Sequence, residues 1–349
     1  MKRVLYLVEN NKSFQFRYRV KNIEEVLKNS EEWTLEIFLK SKTRGINLAE
    51  ADVLVIERQT AKNNSVLKLI KQAKNNNVRV LFDIDDLVFD YKDLPEVKKT
   101  VKEKNTLYWM GYFWGIRRIA KKVDGFIVTN DFLGKKISGT FKKPYKVIRN
   151  FLNQEQINVS AKALKNKKHD GFVVGYFSGS PTHNNDFKLI EKELTRFLED
   201  FDDAKIKIVG RMKVSDEMKR WEKLGRVEVI DFVDYLKLQK LIAEVDVNIA
   251  PLVINDFTNC KSELKFFEAG IVETTTIASP NYSFKKVIID GENGLLAKPG
   301  EWYEKLKYLY ENPKDSQKIA KNAREYAIGH YSGKEILKEI EEAYDYYAK

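Results

Sequence analysis

The chain has 349 residues, 43% of them hydrophobic, and carries a formal net charge of +11. That length exceeds one ordinary domain and supplies two cores, while the charge points to anionic partners such as nucleotide phosphates or an anionic membrane surface. One cysteine excludes an internal disulfide and fits a reducing compartment, and no run of about 18 apolar residues offers a membrane span. The basic residues are dispersed and no nucleic-acid motif accompanies them, which argues against a nucleic-acid protein.

In chain order, residues 3–8 read as a buried strand, closed by Glu9 too early for a signal sequence. A loop at 10–19 precedes a helix at 20–28. Strands follow at 33–39 and 51–56, then a helix at 61–74. The strand 79–83 runs into Asp83-Ile84-Asp85-Asp86. A helix spans about 107–123, followed by a strand at 125–129, a short helix at 131–138 and a strand at 145–148. Residues 153–168 are polar and read as a linker. The alternation then restarts: strand 172–177, loop 178–185, helix 186–198, strand 205–209, strand 227–230, helix 235–245, strand 247–250, helix 261–270 and strand 275–278. Helices fill the remainder. Strands alternating with helices predict parallel sheets covered on both faces. The expected fold is α/β, with two doubly wound Rossmann-like domains facing across a cleft. Its boundaries are 1–165, 166–332, and a C-terminal helix at 333–349 crossing back to the first domain. Ligands in such folds bind beyond the carboxyl ends of strands.

The stretch 259–270 carries the most chemistry. As one helix it places Lys261, Lys265 and Glu268 on one side, with Asn259 as its cap and Gly270 at its end. A helix start bearing two lysines suits a diphosphate, and a glutamate two turns on can accept from a ribose diol. The alternative is a solvated face with one Lys/Glu pair. Gly179 and Ser180 lie in a small-residue loop between strand and helix, where backbone amides approach phosphate or sugar oxygens, or where there is a plain turn. His183 in that loop is a phosphate donor or merely exposed. Arg17 and Arg19 follow the first strand; they grip a phosphate of the donor or a lipid-linked acceptor, or one packs on a carboxylate of its own domain. Arg211 after Gly210 is a cleft cation or a surface arginine.

Asp83-Ile84-Asp85-Asp86 admits three readings: a metal-binding Asp-x-Asp, structural capping, or acids facing the acceptor hydroxyl, with Asp85 and Asp86 as the general-base candidates. The segment 108–118 is rich in Trp, Tyr and Phe and ends in basic residues. It is either an interfacial amphipathic helix, with Lys98, Lys99, Lys102 and Lys104 adding attraction for anionic lipid, or a helix packed on the first sheet.

Residues 259–270, Thr276-Ile277-Ala278-Ser279-Pro280 and Asp290-Gly291-Glu292-Asn293-Gly294-Leu295-Leu296 resemble the donor-binding half of retaining GT-B glycosyltransferases, with family 4 the nearest group. Val128-Thr129-Asn130 and Val147-Ile148-Arg149-Asn150 resemble that family's first domain. The resemblance implies transfer of a sugar from a nucleotide-diphosphate sugar to a hydroxyl, with retention of configuration and no metal, in surface polysaccharide or glycolipid synthesis. It implies Glu268 on the ribose, with Lys261, Asn259, Gly179, Ser180 and Phe232 as further donor residues. Lys261, Lys265 and Arg211 would stabilise the leaving diphosphate. Cys260 stands where the family often has a first glutamate, so sugar recognition there departs from the pattern. No cofactor is implied beyond the nucleotide-sugar substrate. The partners are that donor, a glycan or lipid-linked acceptor and an anionic membrane surface; the location is cytoplasmic, peripheral at the inner face of the membrane. A non-catalytic nucleotide-sugar or anionic-polymer binder on the same fold is the alternative.

Overall fold

The computed structural model describes residues 1–10, 14–42, 46–100, 104–166, 171–179 and 184–348. The chain divides into two compact units. The first comprises Met1–Asn153, Asn259–Ser262 and Ser332–Lys349; the second comprises Gln154–Thr258 and Glu263–Tyr331.

Unit 1 is built on a six-stranded sheet: β1 (Lys2–Val8), β2 (Trp33–Leu39), β3 (Val53–Glu57), β4 (Arg79–Ile84), β5 (Gly125–Val128) and β6 (Tyr145–Val147). Their spatial order is β2-β1-β3-β4-β5-β6, and every pairing is parallel. Val4–Val8 and Val53–Ile56 are wholly buried, as continuous apolar strands in a helix-covered parallel sheet must be. The helix Lys334–Ala348 belongs to this unit. Its Tyr344 hydroxyl meets the Tyr6 hydroxyl at 2.7 Å, and its Asp345 accepts from Trp33 Nε1 at 3.1 Å. Tyr347 donates to the Phe126 carbonyl at 3.1 Å, and its ring fills the space a side chain on Gly125 would need.

Unit 2 repeats the plan with β7 (Phe172–Ser178), β8 (Ala204–Gly210), β9 (Val227–Ile230), β10 (Val247–Ala250), β11 (Thr275–Ala278) and β12 (Leu295–Leu296). The order is β12-β11-β10-β7-β8-β9, again parallel. Its core gathers Val174, Tyr176, Phe197, Ile206, Ile249 and Trp302. At the end of β8, Gly210 has φ +124°, and a Cβ there would lie 1.8 Å from the Ser178 carbonyl oxygen. Only glycine fits that closure of the β7–β8 edge.

Local expectations needed correction in several places; the segment expected as a loop at 10–19 is helical from Phe14. The polar segment read as a linker contains the helix Gln154–Lys165, whose Gln156 and Ser160 are buried. The expected helix at 186–198 is two, Asn184–Lys188 and Glu191–Asp200. The expected helix at 261–270 is also interrupted: Asp256–Asn259 ends, and a new helix runs over Leu264–Gly270 from Glu263. The cause lies in the carbonyls. Asn281 Nδ2 takes the Thr258 oxygen at 2.8 Å, and Asn130 Nδ2 takes those of Asn259 and Lys261 at 3.3 and 3.2 Å. The acceptors that a continuous helix would offer to residues 262, 263 and 265 are thereby engaged elsewhere.

Candidate active site

Within unit 2, the helix Leu264–Gly270 brings Lys265 and Glu268 to one group. Lys265 Nζ lies 4.4 Å from the centroid of the Tyr176 ring and is buried without a hydrogen-bond acceptor among the described residues. Burial lowers its pKa to about 8, against the opposing pull of Asp186 and Glu268. A lysine in such a position is a cation whose charge its own surroundings leave largely uncompensated. Asp186 is committed elsewhere too, accepting from the Val253 amide at 3.0 Å.

Glu268 is buried behind Lys265. Its Oε1 accepts from Gln156 Nε2 at 3.3 Å, its carbonyl accepts from Gln239 Nε2 at 2.5 Å, and the two glutamines are joined at 3.0 Å. The carboxylate is thus oriented by Gln156, which Gln239 in turn holds. At the ends of neighbouring strands, the exposed Arg211 guanidinium stands 5.2 Å from the Phe232 ring. Gly179 is exposed, and a Cβ placed there would have no neighbouring atom within 4 Å, so no close approach demands glycine. Ser180 and His183 lie outside the described residues.

Unit 1 gathers a separate charged group at the ends of β3 and β4. Arg58, the residue after β3, pairs with Asp85 at 3.0 Å and with Asp86. Lys261 pairs with Asp86 from the other side. Burial alone would raise the Asp86 pKa; Lys261 and then Arg58 outweigh it, and the value falls to about 2. For Asp85 burial prevails over Arg58, with Asp86 adding to it, and the pKa rises. Asp86 is therefore a fixed anion, and Asp85 is the more basic of the two carboxylates. Glu57, buried at the end of β3, is pushed up to about 8 by burial, then by the charges of Asp85 and Asp83.

Several expected placements change. Lys261 is not on the helix with Lys265; it precedes the helix and is held by Asp86. Asn259 is the last residue of its own short helix and caps nothing at 264. Gly270 lies within the helix, and Ile271 follows it as the cap. Of the two readings for the arginines after the first strand, packing on a carboxylate of its own unit fits Arg19: it is buried, with Nε and Nη2 on Asp83 at 3.0 and 3.1 Å. Its neighbour Arg17 is half-buried, its guanidinium 3.9 Å from the Tyr18 ring centroid. The carboxylates of 83–86 pair with Arg19, Arg58 and Lys261. Sequence reasoning passed over Arg58, Glu57, Tyr176, Gln156 and Gln239. Arg58 carried a usable signal, since it directly follows a buried strand.

Residues 171–312 match the family model described as glycosyl transferases group 1. This part of the chain is similar to the group 1 glycosyltransferases. No curated protein matches the chain. Among solved structures, HepE of Anabaena in complex with UDP and glucose is 15% identical, covering 99% of this chain and 100% of that one at a TM-score of 0.67. Sucrose-phosphate synthase of Thermosynechococcus elongatus is 16% identical, covering 99% of each at 0.68. A glycosyltransferase of Rickettsia africae is 13% identical, covering 100% of this chain and 99% of that one at 0.66. The glycosyltransferase fold is GT-B, with its two Rossmann-like domains. Arg211, Phe232 and Ser178 sit at strand ends within the matched residues 171–312.

Proposed function

We propose that this glycosyltransferase moves a hexose from a nucleoside-diphosphate sugar to an acceptor hydroxyl, with retention of configuration and without a metal ion. The observation that carries the reading is Lys265: a buried ammonium with no hydrogen-bond acceptor among the described residues, three residues before a buried glutamate, within the segment that matches the family model. A diphosphate oxygen is the partner such a cation lacks. In the reaction the bond from the anomeric carbon to the diphosphate breaks, and a bond to the acceptor oxygen forms on the same face. Lys265 and Arg211 offset the charge left on the diphosphate. Glu268 accepts from the ribose hydroxyls, and Phe232 offers the nucleobase a ring face. The acceptor's proton passes to an oxygen of the departing diphosphate on that same face.

The Anabaena structure in complex with UDP and glucose supports a uridine diphosphate sugar as the first donor to test. The acceptor is a growing surface glycan or its lipid carrier, and the protein acts in the cytoplasm at the inner face of the membrane. The test is a panel of nucleotide sugars, followed by thermal shift for binding and by nucleotide release for turnover. Release with an acceptor present, abolished in Lys265→Ala, is the expected result. Binding with neither hydrolysis nor transfer would instead leave a nucleotide-sugar binder.

A further inference from the structure

The helix Thr106–Ala120 of unit 1 has two faces of different fate. Trp109, Phe113, Ile116 and Ile119 are buried. Leu107, Met110 and Trp114 recur at i, i+3 and i+7 and are 79%, 48% and 50% exposed. The helix cannot roll to hide them. The Ala61 amide donates to the Gly115 carbonyl at 3.2 Å, and a Cβ on Gly115 would lie 2.8 Å from Thr60 Cβ. Arg117 Nη1 is anchored on the Phe89 carbonyl at 2.8 Å.

Cations border the stripe. Lys104 and Lys62 stand 5.5 and 6.0 Å from the Tyr108 ring centroid, and Arg118 lies 4.5 Å from that of Trp114. Lys98 Nζ donates to Thr106 Oγ1 at 2.5 Å. Among the described residues, none of these four cations pairs with a carboxylate. Lys102 lies outside the described residues.

We propose that this face docks the protein on an anionic lipid bilayer, Leu107, Met110 and Trp114 entering the headgroup boundary while Lys62, Lys98, Lys104 and Arg118 meet lipid phosphates. An apolar stripe with an aromatic anchor and unneutralised cations at its border is the pattern of an in-plane interfacial helix. A second copy fits the face less well, because a two-fold contact would set these cations against their own equivalents. The inference deepens the membrane location within the proposed function, and its test needs neither donor nor acceptor. Lipid binding and sugar transfer therefore stand or fall separately.

The experiment is vesicle co-sedimentation of the full chain, with phosphatidylcholine alone and with phosphatidylglycerol added. Binding is expected only with phosphatidylglycerol, released by salt, with a blue shift in tryptophan emission that is smaller in Trp114→Phe. The combined variant Leu107→Ser, Met110→Ser, Trp114→Ser and the separate variant Lys62→Glu, Lys104→Glu should each bind at least about tenfold more weakly. Both should keep their melting temperature, since the altered side chains are exposed. Absence of wild-type binding, equal binding to both vesicle types, or unchanged binding by the triple variant would each overturn the proposal. So would a concentration-dependent dimer that the triple variant abolishes.

Discussion

Arg19 donates from Nε and Nη2 to the two oxygens of Asp83 at 3.0 and 3.1 Å, and both side chains are buried. Nη1 continues to the Ile148 carbonyl at 2.5 Å and to Asn150 Oδ1 at 3.1 Å. One guanidinium thus ties the segment after β1 to β4 and to the exit of β6. Replacing Arg19 with Met strands a buried carboxylate and should destabilise by about 3–5 kcal/mol. Arg19→Lys should also lose stability, because an ammonium cannot reproduce the two-pronged geometry. Adding Asp83→Leu to Arg19→Met should recover much of the loss. Urea unfolding checks all three. A loss below about 1 kcal/mol for Arg19→Met would return this arginine to the candidate ligand contacts.

Lys265 should show the opposite balance. Its folded pKa is depressed to about 8 from 10.5, chiefly by burial. Between those values the unfolded chain binds more protons, so stability should rise with pH across that window, and below pH 8 the penalty is complete. Lys265→Met should therefore raise the melting temperature while removing most turnover. Wild-type turnover should fall above pH 8 as the ammonium is lost. A diphosphate would restore the charge, so nucleotide binding above pH 8 should take up a proton, visible by calorimetry in buffers of different ionisation enthalpy. A Lys265→Met enzyme with wild-type turnover would remove this residue from the leaving-group role.

Glu268 tests the nucleotide end of the site. Glu268→Gln preserves shape and the contact with Gln156, whereas Glu268→Ala empties the position. Both should weaken nucleoside diphosphate binding, by about tenfold or more for Ala, since a carboxylate accepting from a hydroxyl contributes about 1.5–3 kcal/mol. The loss should be much smaller when the 2′-deoxynucleotide is used. Unchanged calorimetric affinity would end the ribose assignment.

Glu57 predicts a pH dependence of folding. Its folded pKa is raised to about 8 from 4.5, first by burial. The native state holds the extra proton between those values, so this group's contribution to stability is present below pH 4.5 and is lost as pH rises toward 8. Glu57→Gln should flatten that decline and be more stable than wild type at pH 8 but not at pH 5. Parallel urea curves at both pH values are the measurement.

Gly210→Ala should be among the most damaging single substitutions in unit 2. The added carbon meets the Ser178 carbonyl oxygen at 1.8 Å in a backbone conformation that side chains rarely adopt. A loss above about 4 kcal/mol, or no soluble protein, is expected. A soluble Gly210→Ala variant melting within a degree or two of wild type would contradict the close approach.

The sequence by itself determined the class of fold. Apolar runs such as Val4–Val8 and Val53–Ile56, alternating with amphipathic segments, leave little besides parallel sheets covered by helices, because hydrophobic period and turn residues are local properties. It also determined which short stretch to watch, since Lys265 and Glu268 stand in the segment singled out from the start. Tertiary structure decided how that stretch is divided. Asn130 and Asn281, far away in sequence, take the carbonyls that would have continued one helix, and so separate Lys261 from Lys265. It decided that Arg19 serves Asp83 and that Lys261 serves Asp86. A charged residue looks the same in sequence whether it waits for a ligand or for another part of the chain. Only packing shows which ammonium, here that of Lys265, is buried without an acceptor among the described residues.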